Sequence, residues 1–187
     1  MGIFLRLILA VFLLQGALAQ AQGLEPERLE QVKRDTALFS KIVGEVLKQR
    51  FENPFALSVD PQGSYLRGYG ISVSFLLRIN RGSIRGIYGE ISPRESTRDA
   101  GMSRNEKVAL VKKLTARTLV DYGGTIRGLD SDEKVAISAH IEDRSEWDPA
   151  RKTTIVVVSG TKGEIDQLSR DSLPDEELLS RLTILEY

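Results

Sequence analysis

Residues 65–80 read Tyr-Leu-Arg-Gly-Tyr-Gly-Ile-Ser-Val-Ser-Phe-Leu-Leu-Arg-Ile-Asn, and the remainder of the chain has to supply cover for this run. Tyr69, Ile71, Val73, Phe75, Leu77 and Ile79 fall on one parity, and Ser72, Ser74, Arg78 and Asn80 on the other. Successive side chains of a strand project to opposite faces, so the alternation predicts a long strand. Gly68-Tyr69-Gly70 at its start has two readings. Glycines without a Cβ permit a bulge or a close backbone approach within the strand. A phosphate-cradling loop would need a helix directly after it and a third glycine in register, and neither is present, which favours the bulge.

The flanking segments provide the other elements. Leu24 to Phe51 has Leu29, Val32, Thr36, Phe39, Val43 and Val46 at three- and four-residue steps, with Leu38, Ile42 and Leu47 widening the stripe, and Pro26 in its first turn. This predicts an amphipathic helix stopped by Asn53-Pro54. Phe55 to Val59 is a short extended piece and Asp60-Pro61-Gln62-Gly63 a turn by composition. Ser103 and Glu106 have the spacing of a capping box, and the helix they open buries Val108, Val111, Leu114, Thr115 and Leu119 before a left-handed cap at Gly123-Gly124. Lys134 to Glu142 alternates again, with Val135, Ile137, Ala139 and Ile141 inward. Thr153 to Ser159 holds Ile155-Val156-Val157-Val158, apolar on both parities, as expected of a strand covered on both faces. Thr161 to Glu164 repeats the capping-box spacing, Ser172-Leu173-Pro174-Asp175 opens a last helical turn or two, and Thr183 to Tyr187 closes the chain as a short strand.

After the first helix the order is strand, helix, strand, strand, helix, strand. That is the order of an α+β, ferredoxin-like (split βαβ) antiparallel sandwich with an additional N-terminal helix. It places the 65–80 and 155–158 strands in the middle of the sheet and Lys134–Glu142 at an edge. The N-terminal helix then serves as cover for the second face.

Residues 1–19 stand apart from this domain. Arg6 precedes an unbroken apolar run from Leu7 to Leu14, and Ala17-Leu18-Ala19 supplies the small residues of a cleavage site, which together describe a secretory signal peptide. Gln15, Gly16 and Gln20 interrupt the run too early for a spanning helix. The expected organisation is a leader, 1–19, and a single α+β domain, 24–187, that is exported to the periplasm or beyond and has no transmembrane segment. The chain contains no cysteine, which removes disulfides, thiolate metal sites and cysteine nucleophiles. Its 26 basic and 26 acidic side chains balance, whereas a dedicated nucleic-acid binder is strongly basic.

Motifs that carry chemistry are sparse. A catalytic serine needs a base within hydrogen-bond reach, and the one histidine, His140, sits at an outward strand position. Asp130-Ser131-Asp132-Glu133 lacks the turn glycine and further oxygen ligands of a calcium loop. Glu142, Asp143, Glu146 and Asp148 cluster near a connection and read as a solvated turn, with acid–base work as the sharper alternative. Catalytic residues, metal ligands and cofactors are therefore all assigned as none. The candidate binding residues are Trp147, the sole tryptophan, and Arg81, Arg85, Arg94 and Arg98 of the basic loop from Arg81 to Ser103.

The Tyr65-Leu66-x-Gly68-Tyr69-Gly70 segment entering an apolar strand resembles uncharacterised exported bacterial proteins that share it, and Leu129 to Ile137 is similar too. The resemblance implies a shared structural segment, without a reaction, ligand or catalytic residue. The functional expectation is a non-catalytic binding or interaction module of the bacterial cell envelope, with a protein or an anionic envelope component as partner. An envelope-associated hydrolase using carboxylates such as Glu142, Asp143 or Asp148 is the alternative, and a self-associating subunit using an open sheet edge is the third.

Overall fold

The computed structural model describes residues 26–51, 55–79, 84–86, 89–91, 102–143 and 152–187. The leader expected at 1–19 lies outside them. Gln31–Tyr187 forms one compact body and Met1–Glu30 a separate unit, of which the start of the first helix is described. The elements are α1 (Pro26–Arg50), β1 (Ala56–Leu66), β2 (Gly70–Arg78), β3 (Ile84–Gly86), β4 (Gly89–Ile91), α2 (Arg104–Gly123), β5 (Lys134–Asp143), β6 (Lys152–Thr161), α3 (Lys162–Leu168), α4 (Asp175–Arg181) and β7 (Thr183–Glu186). They make an α+β fold with four helices and a mixed five-stranded sheet, while β3 and β4 pair as a separate short hairpin. Among the described residues no helix is long and apolar enough to cross a membrane.

The 65–80 run is two strands joined by a tight turn. Tyr69 N donates to Leu66 O at 3.0 Å, and Gly68, third in that turn, has φ 76°, a value that L side chains resist. The Gly-Tyr-Gly segment is thus a hairpin turn rather than a bulge inside one strand. Downstream, Ile71, Val73, Phe75, Leu77 and Ile79 are all buried as the alternation requires. Upstream, β1 continues through Asp60–Gly63 where a turn was expected. It absorbs Asp60 and Pro61 in register shifts on either side of Val59, and proline is tolerated there because β1 is an edge strand.

The sheet order is β1-β2-β5-β6-β7, with β2 and β5 parallel and every other neighbouring pair antiparallel. This corrects the split βαβ expectation, in which β2 and β6 would be neighbours. Both sides of β2 are occupied, by β1 and β5, and β6 continues antiparallel from β5 over ten paired residues, Lys134–Thr161 to Asp143–Lys152. The alternating β5, expected at an edge, is the middle strand. Its alternation reports one covered face and says nothing about its position across the sheet.

All the described helices pack on one face. Gly63 pairs with Val73 and so points the same way, and a Cβ built on it would meet Thr36 Cγ2 of α1 at 2.6 Å and Ser40 Oγ closer still. On the same face α2 covers β5 and β6, where Val135, Ile137, Ala139, Ile141, Val156 and Val158 are fully buried. The expectation that α1 covers the opposite face is therefore corrected. Strand β1, longer than the extended piece expected at Phe55 to Val59, widens the sheet beneath α1. The approach depends on small residues, because Thr36 and Ser40 satisfy their hydroxyls on Val32 O and Thr36 O and leave room for the strand. Leu38, assigned to the buried stripe from sequence, is 52% exposed.

Both capping boxes form. Glu106 N donates to Ser103 Oγ at 3.3 Å and Ser103 N to Glu106 Oε2 at 2.7 Å, with the same pattern at Thr161 and Glu164. The Ser103 backbone N–H holds the Glu106 carboxyl below its ordinary range. The left-handed cap expected at Gly123-Gly124 is absent: Gly124 is right-handed at φ −62°, and Gly123 lies inside the helix. Its missing side chain admits Ile165, since a Cβ there would stand 3.0 Å from Ile165 Cγ2.

Gly70 carries the heaviest steric demand, with φ 127° and a position where a Cβ would meet Lys134 N at 2.6 Å. Gly70→Ala is expected to lower stability by at least about 2 kcal/mol, and Gly68→Ala, which meets no atom within 4 Å, by only about 1 kcal/mol for its backbone. Urea titration of the two variants checks the difference. A second outcome concerns acid. A carboxyl with a lowered folded-state value contributes stability that is complete above the unfolded value of 4.5 and is lost as pH falls through the lowered one. Melting temperatures of Glu106→Ala between pH 6 and pH 2.5 should therefore fall less steeply than those of the wild-type chain.

Candidate functional site

With every described helix on one side, the other face of the sheet is built from the opposite parity of each strand. The pairings Gln62–Ser74, Val59–Leu76, Ser74–Ser138, Leu76–His140, His140–Ile155, Ser138–Val157 and Val157–Leu185 carry it from edge to edge. Ile155 and Tyr187 exchange backbone hydrogen bonds at 3.1 and 3.0 Å and extend it to the final residue. Leu76, His140, Ile155 and Val157 are half-buried on this face, and Val59, Leu185 and Tyr187 are 45%, 45% and 72% exposed. A shallow depression of about 210 Å³ lies beside the β1 irregularity, lined by Val59, Gln62, Ser74, Phe75, Leu76 and His140. Its polar groups are the Gln62 amide, the Ser74 hydroxyl and the His140 ring, whose Nε2 is 3.4 Å from Ser138 Oγ. Apolar walls around a few hydroxyl and amide groups suit contact with a surface that is itself largely uncharged.

Charge sits at the two ends of β5: exposed Lys134 at its start, with Nζ 5.8 Å from the centre of the Tyr69 ring, and a cluster where β2 and β5 finish. Glu142 pairs across the parallel ladder with Arg78 at 3.5 Å, and Asp143 lies 3.6 Å from Arg104, whose guanidinium also donates to the Thr154 hydroxyl. Buried Lys107 donates to Ile79 O at 3.1 Å. Glu142 and Asp143 are successive residues of one strand and project to opposite faces, Glu142 with His140 and Asp143 toward α2. They face separate cations and do not form the carboxylate pair that acid–base catalysis would use.

The acidic turn Asp130–Glu133 closes on itself. Glu133 N donates to Asp130 O, Asp130 N donates to Glu133 Oε2 at 2.9 Å, and Tyr65 Oη donates to Glu133 Oε1 at 2.9 Å. Its carboxylate thus ties β1 to the start of β5. Among the described residues, no three His, Asp or Glu side chains are grouped to hold a metal ion.

The residues singled out from sequence fall elsewhere. Arg81, Arg94, Arg98 and Trp147 lie outside the described residues, as do Glu146 and Asp148. Arg85 lies in β3, paired with Glu90 of β4, and its side chain is outside the described set. The exposed sheet face was not anticipated. Its traces in the sequence are the second apolar parity of β6, Ile155 and Val157, and Leu76 breaking the polar parity of β2. Comparison with family models, with curated proteins and with solved structures finds no match to this chain.

Asp143 and Arg104 have side chains only 14% and 33% exposed, and removal of the cation costs more there than at the surface. Arg104→Met should destabilise the protein by about 1–2 kcal/mol in urea titration, through the Asp143 and Thr154 contacts together. Lys48→Ala, which removes an exposed pair with Asp60, should leave the midpoint unmoved.

Proposed function

We propose that this chain is an exported, non-catalytic binding module and that its working surface is the sheet face turned away from the helices. The observation that carries this reading is the set Val59, Leu76, Ile155, Val157, Leu185 and Tyr187, apolar side chains brought onto one face by strand register. Exposed apolar area of this kind mixed with hydroxyl and amide groups is what a protein partner buries on docking. Of the two partner classes expected from sequence, the face favours a protein over an anionic envelope component, since its centre is uncharged between the Arg78–Glu142 pair at one end and Lys134 at the other. The carboxylate hydrolase has less support, because Glu142 and Asp143 do not share a side. Strand addition at β1 has little as well, since Asp60, Pro61 and two register shifts blunt that edge. Export rests on the leader pattern of residues 1–19 and places the partner in the cell envelope.

Two measurements test the reading. Expressed with its leader in a bacterial host, the chain should be recovered outside the cytoplasm with a mass lacking residues 1–19, and a cytoplasmic product retaining Met1 would remove the export half. For the surface, wild type and a Val59→Ser/Leu185→Ser variant would be compared as bait in quantitative pull-down from envelope extract. Both positions are exposed, so the fold should be unchanged, and the partner recovered by wild type should drop at least about tenfold with the variant. Equal recovery would rule out this face as the docking surface.

A further inference from the structure

Strand β6 carries its one charge, Lys152, at its first residue. From Thr153 to Thr161 it contains no charged residue and no proline, and Ile155-Val156-Val157-Val158 form its centre. One side of it pairs with β5 along the whole strand. The other is covered by β7 from Val156 to Ser159 and by the two hydrogen bonds between Ile155 and Tyr187. Without β7, an uncharged, apolar and straight-pairing edge would face solvent, the kind of edge that natural sheets protect. The opposite edge is blunted by Pro61 and the register shifts in the first half of β1, and pairs regularly only from Gln62 to Leu66.

The cover is fastened electrostatically. Lys112 Nζ lies 2.6 Å from Glu186 of β7, and Lys113 Nζ 2.9 Å from Glu176 of α4. Arg117 donates to Asp175 Oδ1 through Nη2 at 2.5 Å and Nε at 3.2 Å, and to Leu173 O at 2.8 Å. In these contacts the cations stand on α2 and the acceptors on residues 173–186. The pairing lifts the Lys113 ammonium above its ordinary value and holds the Glu176 carboxyl below its own. These pairs are partly exposed, with Asp175, Glu176 and Glu186 side chains 45%, 80% and 46% accessible, so salt screens them. The apolar anchorage consists of buried Leu178 and Leu182 with Leu173, Leu179 and Ile184 partly buried against the core, while Leu185 and Tyr187 project outward.

A hinge precedes the fastened segment. Ser169, Arg170 and Asp171 close the end of α3 through backbone hydrogen bonds to Ile165, Gln167 and Leu168. Ser172 then adopts φ 28°, a left-handed conformation that costs a serine free energy, and Pro174 starts α4. Opening at this point relieves the strain and leaves α3 intact.

We propose that Leu173–Tyr187 is a latch, released as a unit when ionic strength screens its pairs with α2, and that the β6 edge it uncovers takes up β7 of a second copy. The occupant is specified by the register itself, since Val156–Glu186 to Ser159–Thr183 is satisfied equally by β7 of the same chain or of another.

Hydrogen exchange of the full chain tests the latch at constant pH and temperature in about 20 mM and about 500 mM NaCl, across which the Debye length falls from about 20 Å to about 4 Å. Amides of Leu178 to Leu185 should lose protection at high salt at least about fivefold more than those of Val135 to Ile141. A Lys112→Gln/Lys113→Gln/Arg117→Gln variant should show the weakened protection at both salts, and the wild-type comparison stands without it if the variant does not fold. The chain has no cysteine, so a single disulfide can lock the latch. Val157 and Leu185 are direct cross-strand partners at the ~5.5 Å spacing of hydrogen-bonded pairs, which suits a disulfide. The oxidised Val157→Cys/Leu185→Cys variant should lose the salt effect and stay monomeric, while wild type at high salt forms a dimer in light scattering. If the C-terminal amides exchange in step with those of β5 at both salts, the latch is overturned. A chain that stays monomeric while those amides are unprotected overturns the exchange of β7.

Discussion

The parallel ladder between Gly70–Arg78 and Lys134–Glu142 joins two antiparallel halves, α1 with β1 and β2 on one side and β5 to β7 with the other helices on the other. Across it the fully buried pairs Ile71–Val135, Val73–Ile137 and Leu77–Ile141 stack on the helix-covered face. The seam is fastened at both ends. Lys134 N donates to Tyr69 O at 2.7 Å and Tyr65 reaches Glu133 at one end, while Ile79 N bonds Glu142 O and Lys107 reaches Ile79 O at the other. Away from the sheet, Asp35 of α1 accepts from Arg127 N at 2.8 Å, a third tie between the halves.

One-sided cover follows from how this seam is flanked. Because β1 occupies the free side of β2, the helix-bearing face is five strands wide, with α1 over β1 and α2 over β5 and β6. The cost of that arrangement is close packing over β1, and it is met with Thr36, Ser40 and Gly44 on the helix against Pro61 and Gly63 on the strand. The uncovered face inherits whatever sits at the opposite parity. In β2 that parity is Ser72, Ser74, Leu76 and Arg78, and in β6 and β7 Ile155, Val157, Leu185 and Tyr187 stand among Thr153, Ser159 and Thr183.

Individual elements were legible in the sequence where local chemistry decides them. Ser103 with Glu106 and Thr161 with Glu164 announce helix starts, and Val135, Ile137, Ala139 and Ile141 announce a buried face. The order of strands was not legible, because alternation records which residues are buried and is silent on neighbours. Strand β1 was legible at its two ends, Phe55 to Val59 and Tyr65-Leu66, but not through Asp60-Pro61-Gln62-Gly63, which has the composition of a turn and is held extended by pairing with β2. The candidate face was misjudged for a related reason: Ile155 and Val157 suggested a second covering layer, whereas they lie on the side that the described helices leave open. Arg81, Arg94, Arg98 and Trp147, chosen for their side-chain chemistry, fall outside the described residues.

The same seam bears on how the chain finds its fold. Its antiparallel ladders join strands consecutive in sequence, while the parallel one closes a loop of roughly sixty residues, a step whose entropy must be met before the contacts it brings can compensate. Helix α2 lies within that loop and starts from a self-sufficient capping box, so it can form early and shorten the span to be searched. The hairpin β1–β2 and the β5–β6 ladder each join near neighbours in sequence, and Gly70 against Lys134 is where the long loop between them closes.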